Sequence, residues 1–511
     1  MSTIKGQVFK NFYRDSIALM RIADTLSGCG GVARVEVLLG TPANIEALQH
    51  GGLFMPDMES VTRNDIVVAV EADSDSNASN ALALAEEMLV APVVTKKGEA
   101  RMIFSTQSAL QKMPDANLAV ISIPGPFVRR EAQSALDAGL HLFIFSDNVP
   151  IADETALKSY ANERGLLVMG PDCGTAIISG VALGFANKIR RGRIGLIGAS
   201  GTGLQEVSCL IDRAGFGISH AIGTGTNDVK DEIGGVTLLR GFRMLADDSE
   251  SEVIVIITKP PGEMVQRMIL QEAEKCQKIV ITNFLGGNQF DSGAKHILNA
   301  RCLEEAARYA VEAIGGDFSL MDDGQDQVPI ERSKIAVGQR YVRGVFSGGT
   351  FAMEAALILS ESLDEIHTNF DLDRTSVIKD ARLSQKHCCV DLGEDEFTRG
   401  KPHPMLEPTM RHERILQEAD DPETAVLLLD LVLGFGVHEN PAEALSNTLT
   451  LAGERAAAAG RYLPIIASVC GTEGDPQVLS DQITKLRNAG ALVMASNARA
   501  ARAAADLARA M

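Results

Sequence analysis

An α/β fold of parallel-sheet domains is the class this sequence predicts, and three observations predict it. Apolar runs of strand length alternate with longer helical patterns, as in parallel sheets covered by helices. A strand–glycine turn–helix segment occurs twice in the same setting. The chain has 511 residues, 45% of them hydrophobic and 23% charged, enough for roughly three or four domains, each with its own core.

Strands are expected at Val35 to Leu39, Ile66 to Val70, Ala119 to Ile123, Leu140 to Phe145, Leu166 to Met169 and Ile194 to Ile197, with helices such as Ala132 to Ala138 and Glu154 to Glu163 between them. Open α/β sheets bind ligands at the carboxyl ends of their strands. The loops Ser146-Asp147-Asn148 and Gly170-Pro171-Asp172-Cys173-Gly174-Thr175 fall there.

The repeat reads Gly-Thr-x-x-x-Glu, at Gly201 to Glu206 and Gly349 to Glu354, each after an apolar run. A glycine turn opening a helix presents free backbone N–H groups and the positive end of the helix dipole, which suits a phosphate or carboxylate. Glycines also close such turns for packing alone, but two in register favour binding, and two anion cradles are expected. The register continues. Asp247-Asp248-Ser249-Glu250 precedes Val253 to Ile257, and Asp420-Asp421-Pro422-Glu423 precedes Val426 to Leu429. Each strand then meets a special loop, Lys259-Pro260-Pro261-Gly262 or Gly434-Phe435-Gly436-Val437-His438, before the strands Ile279 to Phe284 and Ile465 to Val469.

The polar segment Asp322 to Gln327 reads as a linker between the copies, and a second break falls near Ala91 to Arg101. The formal net charge of −19 argues against a nucleic-acid surface, which needs clustered Lys and Arg. No apolar run reaches the about 18 residues of a membrane helix, and the N-terminus does not read as a secretory signal, so a cytoplasmic location is expected. The eight cysteines show no Cys-x-x-Cys spacing, and no metal site is expected.

Residues from about 117 to 315 resemble the alpha subunit of succinyl-CoA synthetase, through Gly170-Pro171-Asp172-Cys173-Gly174 and Gly192-Arg193-Ile194-Gly195 to Ser200-Gly201-Thr202. The part from Tyr341 onward is similar to a second CoA-ligase module. Nearly the whole chain resembles the FdrA family of acyl-CoA-synthetase-like proteins, through Leu39 to Asn44, Phe145 to Val149, Met169 to Thr175, Gly400-Lys401-Pro402-His403-Pro404-Met405 and Leu433 to Gly436. The resemblance implies several Rossmann-like and flavodoxin-like domains with two CoA-ligase-like modules in one chain. The division is 1–100, an N-terminal α/β domain; 101–190, Rossmann-like of CoA-binding type; 191–321 and 335–511, the ligase-like modules; and 322–334, the linker. It implies a subunit of a carbamoyltransferase acting on carbamoyl phosphate with an oxamate-like or ureido acceptor in purine or allantoin nitrogen catabolism. The alternatives are an acyl-CoA synthetase subunit and a non-catalytic metabolite-binding scaffold. Partner subunits and an oligomer are expected, with no required cofactor, CoA remaining open as a ligand.

One departure from that resemblance carries weight. The phosphohistidine loop of succinyl-CoA synthetase corresponds to Leu285-Gly286-Gly287-Asn288-Gln289-Phe290, which has no histidine. His296 nearby reads as a helical surface residue. The family's Glu-bearing loop corresponds to Lys259-Pro260-Pro261-Gly262, and a lysine favours binding an anion directly.

Catalytic candidates are His438, at a predicted strand end; His403, fixed between two prolines; Lys259, for charge; and Asp172, to orient an amide or accept a proton. His403 reads equally as a proton shuttle and as a loop anchor, and Asp172 also as a helix cap. Phosphate or substrate is expected at Ser200, Gly201, Thr202 and Gly203, at Gly348, Gly349 and Thr350, and at Gly434 and Gly436. Cys173 reads as structural. Arg14, Asp15 and Thr41 to Asn44 belong to the FdrA-like stretches.

Overall fold

A computed structural model describes residues 3–509 apart from 11, 13, 15, 42–43, 46–47, 50, 63–64, 91–104, 288–292, 321–324 and 399–400. The expected break near residues 91–101, parts of the Thr41–Asn44 and Gly400–Met405 stretches, Asp15 and Asn288 to Phe290 therefore lie outside the described residues. The chain divides into two compact units, residues 1–102 with 399–402, and residues 103–398 with 403–511.

The first unit is built on β1 (Thr3–Phe9), β2 (Val32–Leu39) and β3 (Ile66–Ala72), with helices Ser16–Ser27 and Asp75–Val90. The strand order is β1-β3-β2, and both pairs run antiparallel. This corrects the expectation of a parallel sheet here. The helix after β1 returns the chain parallel to it, but β3 inserts between β1 and β2 and reverses every neighbouring pair. Strand alternation buries Ile66, Val68 and Val70 against Leu19, Leu26 and Leu89 on one face, and Val67 and Ala69 against Leu48 and Met58 on the other.

The second unit opens with a three-stranded parallel sheet, β4 (Leu118–Ile121), β5 (His141–Ile144) and β6 (Val168–Met169), and helices Gly125–Asp137 and Ile151–Glu163. A hairpin follows, β7 (Thr175–Ile178) and β8 (Val181–Gly184). It joins β9 (Arg191–Gly198), β10 (Ile218–Gly223), β11 (Val253–Thr258), β12 (Ile279–Phe284) and β13 (Ile297–Asn299) in the order β13-β12-β11-β9-β10-β7-β8. The sheet thus begins before the expected boundary at residue 191, because β7 pairs with β10.

The repeat unit forms a second seven-stranded sheet of β14 (Tyr341–Phe346), β15 (Ile366–Thr368), β16 (Ser376–Val377), β17 (His387–Asp391), β18 (Thr424–Val432), β19 (Ile465–Cys470) and β20 (Ala491–Met494). Its order is β16-β15-β17-β14-β18-β19-β20. The shared path β9-β11-β12-β13 and β14-β18-β19-β20 makes the two modules structural counterparts. In the expected linker, 322–324 lie outside the described residues. The rest forms a 3-10 turn and the helix Val328–Arg332, with Val328 and Ile335 buried.

One hydrophobic core runs through both modules. Leu204, Val207 and Leu210 of helix Gly201–Arg213 share it with Phe351, Ala355 and Leu359 of helix Gly349–Ser360. The glutamates of the repeat sit in this interface and exchange partners. Glu206 of the first module accepts the amide of Asn497, first residue of helix Asn497–Ala508 in the second, at 3.1 Å. Glu354 of the second module accepts the amide of Leu303, first residue of helix Leu303–Ala313 in the first, at 2.7 Å. Each module thereby caps an otherwise unpaired helix start of the other. Burial raises both carboxyls, that of Glu206 to about 7, with Glu354 adding repulsion.

Candidate active site between two helix starts

The two glycine turns meet. Ser200 Oγ and Thr350 Oγ1 share a hydrogen bond of 2.7 Å, and the Thr202 methyl lies against Gly348. The two turns that the sequence suggests as separate anion cradles therefore stand side by side, at the starts of the helices Gly201–Arg213 and Gly349–Ser360. Ser200 Oγ caps its helix by accepting the Gly203 amide at 3.1 Å. On the second side Asp430, buried in β18, accepts Ser347 N at 2.8 Å, Ser347 Oγ at 2.9 Å and Gly348 N at 2.9 Å, and pairs with buried Arg411 at 2.8 Å. Gly203 and Gly348 are therefore committed to internal bonds. Gly201, Thr202, Gly349 and Thr350 keep amides with no partner among the described residues. Four free donors at two dipole ends form an anion-binding arrangement.

The carboxyl ends of neighbouring strands supply the charged groups. Lys259 follows β11, and its ammonium offsets only a small part of the desolvation that raises the carboxyls of Asp172 and Asp391. Asp172 sits in left-handed backbone, φ 55°, and accepts Thr226 Oγ1 at 2.6 Å. Its residue surface is open to solvent, yet protein crowds the carboxyl, and this desolvation, with Asp147 and Asp395 nearby, raises it. Asp391, at the end of β17, is a residue the sequence reading missed. Burial, then repulsion from Glu394, pushes its carboxyl to about 7.

The histidines separate. His403 lies beside Gly393, where a Cβ would come within 2.8 Å of Nε2 and 3.0 Å of an Asp391 oxygen, and its ring centroid is 5.6 Å from that of Phe185. Burial lowers it to about 4, so it is neutral at physiological pH. Its Nδ1 accepts the Met405 amide at 3.3 Å, and the ring both anchors the loop and faces the site. His438 instead occupies a crevice of about 20 Å³ with Ser347, Met405 and Arg411, its Nδ1 accepting Asn440 N at 3.0 Å. His296 lies in a turn before β13 rather than in a helix, hydrogen-bonded to the Ala273 carbonyl at 3.0 Å.

Gly434 and Gly436 belong to the contact between modules. Gly434 takes φ +116° and lies so close to the Ala186 carbonyl that no Cβ fits. Its amide is bound to Gln477 Oε1 at 3.0 Å, and Asn187 donates to the Leu433 carbonyl at 2.8 Å. Cys173 is buried, its thiol pushed up to about 12, in keeping with a structural role. A cavity of about 500 Å³ lies at the amino ends of β19 and β20, lined by Tyr462, Pro464, Ile465 and Ala491, at the edge of the sheet where ligands of α/β folds are not bound.

Comparisons with known proteins agree with this architecture. Residues 345–507 match the CoA-ligase family, residues 189–284 the CoA binding domain, and residues 1–102 the family described as AllF, heavy metal-associated domain. Over 498 residues, 97% of this chain and 96% of the relative, the sequence is 40% identical to the uncharacterized protein YahF of Escherichia coli strain K12. The chain belongs to the YahF family. It is 27% identical over 217 residues to the alpha subunit of succinate–CoA ligase [ADP-forming] of Staphylococcus epidermidis strain ATCC 12228, covering 40% of this chain and 70% of that one. For the Aquifex aeolicus subunit the identity is 30% over 200 residues, 37% and 64% of the two chains. Among solved structures, PH0766 from Pyrococcus horikoshii OT3 is similar with a TM-score of 0.33 and 15% identity over 78% of this chain and 84% of that one. The apo dinucleotide-forming acetyl-coenzyme A synthetase 1 of Ca. Korarchaeum cryptofilum gives 0.32 and 15% over 76% and 82%.

This member of the YahF family is an acyl-CoA-synthetase-like protein with CoA-ligase and CoA-binding domains. The CoA-binding match falls on the first seven-stranded sheet, not on residues 101–190. The N-terminal match raises the question of a heavy metal. Residues 1–102 contain one cysteine, Cys29, and one histidine, His50, the latter outside the described residues. The Cys29 thiol donates to the Thr25 carbonyl at 3.7 Å, and the described residues hold no group of three or more His, Cys, Asp or Glu placed for a metal. That set does not fit a soft metal ion. Among the described residues no helix is long and apolar enough to cross a membrane.

Proposed function

We propose that the chain is one subunit of a multi-component carbamoyltransferase that uses carbamoyl phosphate with an oxamate-like or ureido acceptor, in purine or allantoin nitrogen catabolism. The observation that carries this reading is the set of four free amides at two opposed helix starts, with Lys259 close by. It is a seat for the phosphate of an anhydride, in a chain whose segment Leu285 to Phe290 offers no histidine to carry phosphate. The AllF match of the N-terminal unit is in keeping with the allantoin placement.

A carbamoyl phosphate already carries its activation energy. The acceptor nitrogen attacks the carbonyl carbon, the carbon–oxygen bond to phosphorus breaks, and inorganic phosphate leaves with the bonding pair. The amides and Lys259 stabilise charge growing on that phosphate. Asp172, open to solvent and held above the usual carboxylate range, takes the acceptor's proton. Neutral His403 orients the reacting groups. Partner subunits supply what a single chain of this kind lacks.

The test is an assay of the chain with and without its partner subunits, following phosphate release from carbamoyl phosphate in the presence of oxamate or a ureido acid, with CoA plus an acyl phosphate run in parallel. Carbamoyl transfer without CoA is expected. CoA-dependent thioester formation would instead establish the second reading, an acyl-CoA synthetase subunit, which the CoA-ligase and CoA-binding matches favour. Thr202→Trp, which crowds the contact with Gly348, is expected to abolish activity with the fold intact by circular dichroism; unchanged kinetics would remove this turn from the mechanism.

A further inference from the structure

The candidate site contains one group that an anion cradle does not need. Asp391 is 4% exposed. Its Oδ1 accepts the Gly393 amide at 2.8 Å, and its backbone is fixed on both sides by Asn369, which accepts Asp391 N at 2.8 Å and donates to Asp391 O at 2.9 Å. Oδ2 has no hydrogen-bond donor among the described residues, and it is aimed at the first residue of the second helix, where a Cβ on Gly349 would lie 2.5 Å from it. Asp430, two strands away across β14, is the contrast, with both oxygens fully used by Ser347, Gly348 and Arg411.

Asp391 Oδ2 is not among the fully enclosed oxygens that lack a partner, so its hydrogen bond is left to whatever enters the site. The amides of Gly201, Thr202, Gly349 and Thr350 ask for acceptors, and Oδ2 asks for a donor. Inorganic phosphate, protonated on at least one oxygen near neutral pH, brings a P–OH donor but no carbonyl oxygen and no NH2 group. Acetyl phosphate adds a carbonyl oxygen and a methyl group, which donates no hydrogen bond. A carbamoyl phosphate offers phosphate and carbonyl oxygens together with an NH2 group of the same size as the methyl, and answers both.

We propose that Asp391 is the specificity-determining residue of this site, its free carboxylate oxygen accepting a hydrogen bond from the NH2 group of a carbamoyl phosphate and thereby selecting it over acyl phosphates that carry carbon in that place. The assignment rests on the carbamoyl phosphate reading above and deepens it. A site built to hydrogen-bond a substrate N–H rejects the isostere lacking it far more strongly than an apolar pocket rejects an added group.

The experiment is calorimetric titration of the full chain with carbamoyl phosphate, acetyl phosphate and inorganic phosphate, repeated on Asp391→Ala and Asp391→Asn. The wild type is expected to prefer carbamoyl over acetyl phosphate by about tenfold or more. Asp391→Ala is expected to reduce that ratio to within about twofold by weakening carbamoyl phosphate alone, and Asp391→Asn, which keeps an acceptor oxygen, to retain part of it. Inorganic phosphate serves as the internal control, since an affinity in Asp391→Ala that is retained, or raised by loss of the neighbouring negative charge, shows that the cradle is still formed. Equal ratios in wild type and Asp391→Ala would overturn the proposal. So would equal weakening of all three ligands, which would make Asp391 a proton donor to phosphate. A wild type that binds acetyl and carbamoyl phosphate alike sinks the specificity role and leaves the anhydride site standing, whereas a wild type that binds none of the three sinks both readings.

Discussion

Glu206→Gln isolates the energetics of the contact between modules. The wild-type carboxyl is fully buried and held from its ordinary 4.5 up to about 7 by desolvation, with repulsion from Glu354 adding to it. Because the folded pKa lies above the unfolded one, the native protein binds more protons than the unfolded chain between about pH 4.5 and 7, and stability falls as pH rises through that window. At about 1.4 kcal/mol for each tenfold change in proton affinity, the ionised carboxylate costs the native state about 3 kcal/mol above pH 7. Glutamine keeps an acceptor oxygen for the Asn497 amide and removes the charge. The variant is therefore expected to match wild type near pH 4.5 and to exceed it by up to about 3 kcal/mol at pH 8. The assay is urea unfolding at several pH values across that range. Parallel curves for the two proteins, or a glutamine variant less stable than wild type at pH 8, would refute the assignment of a charge penalty to this residue.

Arg411→Met leaves the buried Asp430 carboxylate without its cation and is expected to destabilise the unit by about 3–5 kcal/mol in chemical denaturation; a loss below about 1 kcal/mol would show that the three remaining donors suffice. Gly434→Ala places a methyl group against the Ala186 carbonyl in a conformation that only glycine adopts freely. It is expected to lower the thermal midpoint by several degrees, about 1–3 kcal/mol in stability, and to lower activity through loosened modules. An unchanged midpoint would show that this contact yields.

Much of the fold was legible because strand-length apolar runs such as Val253 to Ile257 and Val426 to Leu429 are fully buried strands, where nearly every side chain must be apolar. The antiparallel N-terminal sheet was not, since the order of strands and helices is the same whether β3 adds to an edge or inserts between β1 and β2. The repeated Gly-Thr turns pointed to the right place but not to their union, which depends on how two helices 150 residues apart in sequence dock through Ser200 and Thr350. Asp391 and Asp430 escaped for a related reason. Each closes or interrupts an apolar run, and nothing local distinguishes a carboxylate whose oxygens are satisfied from one left open. Their order Asp391-Leu392-Gly393 after the strand His387–Asp391 is the only local sign, a small-residue turn at a strand end. The glutamates of the Gly-Thr-x-x-x-Glu motif show no role in sequence, and their caps become visible only when both modules are present.

If the proposed anion takes its donors half from each module, neither module by itself owns the binding site. Function is thereby tied to docking: a ligand held by Thr202 and Thr350 together would act as a clamp, adding its binding free energy to the association of the modules. Joining them in one polypeptide fixes their ratio at one to one and keeps the second half at high local concentration whenever the first has folded. A chain cut between the modules would have to recover by affinity what its covalent link now provides.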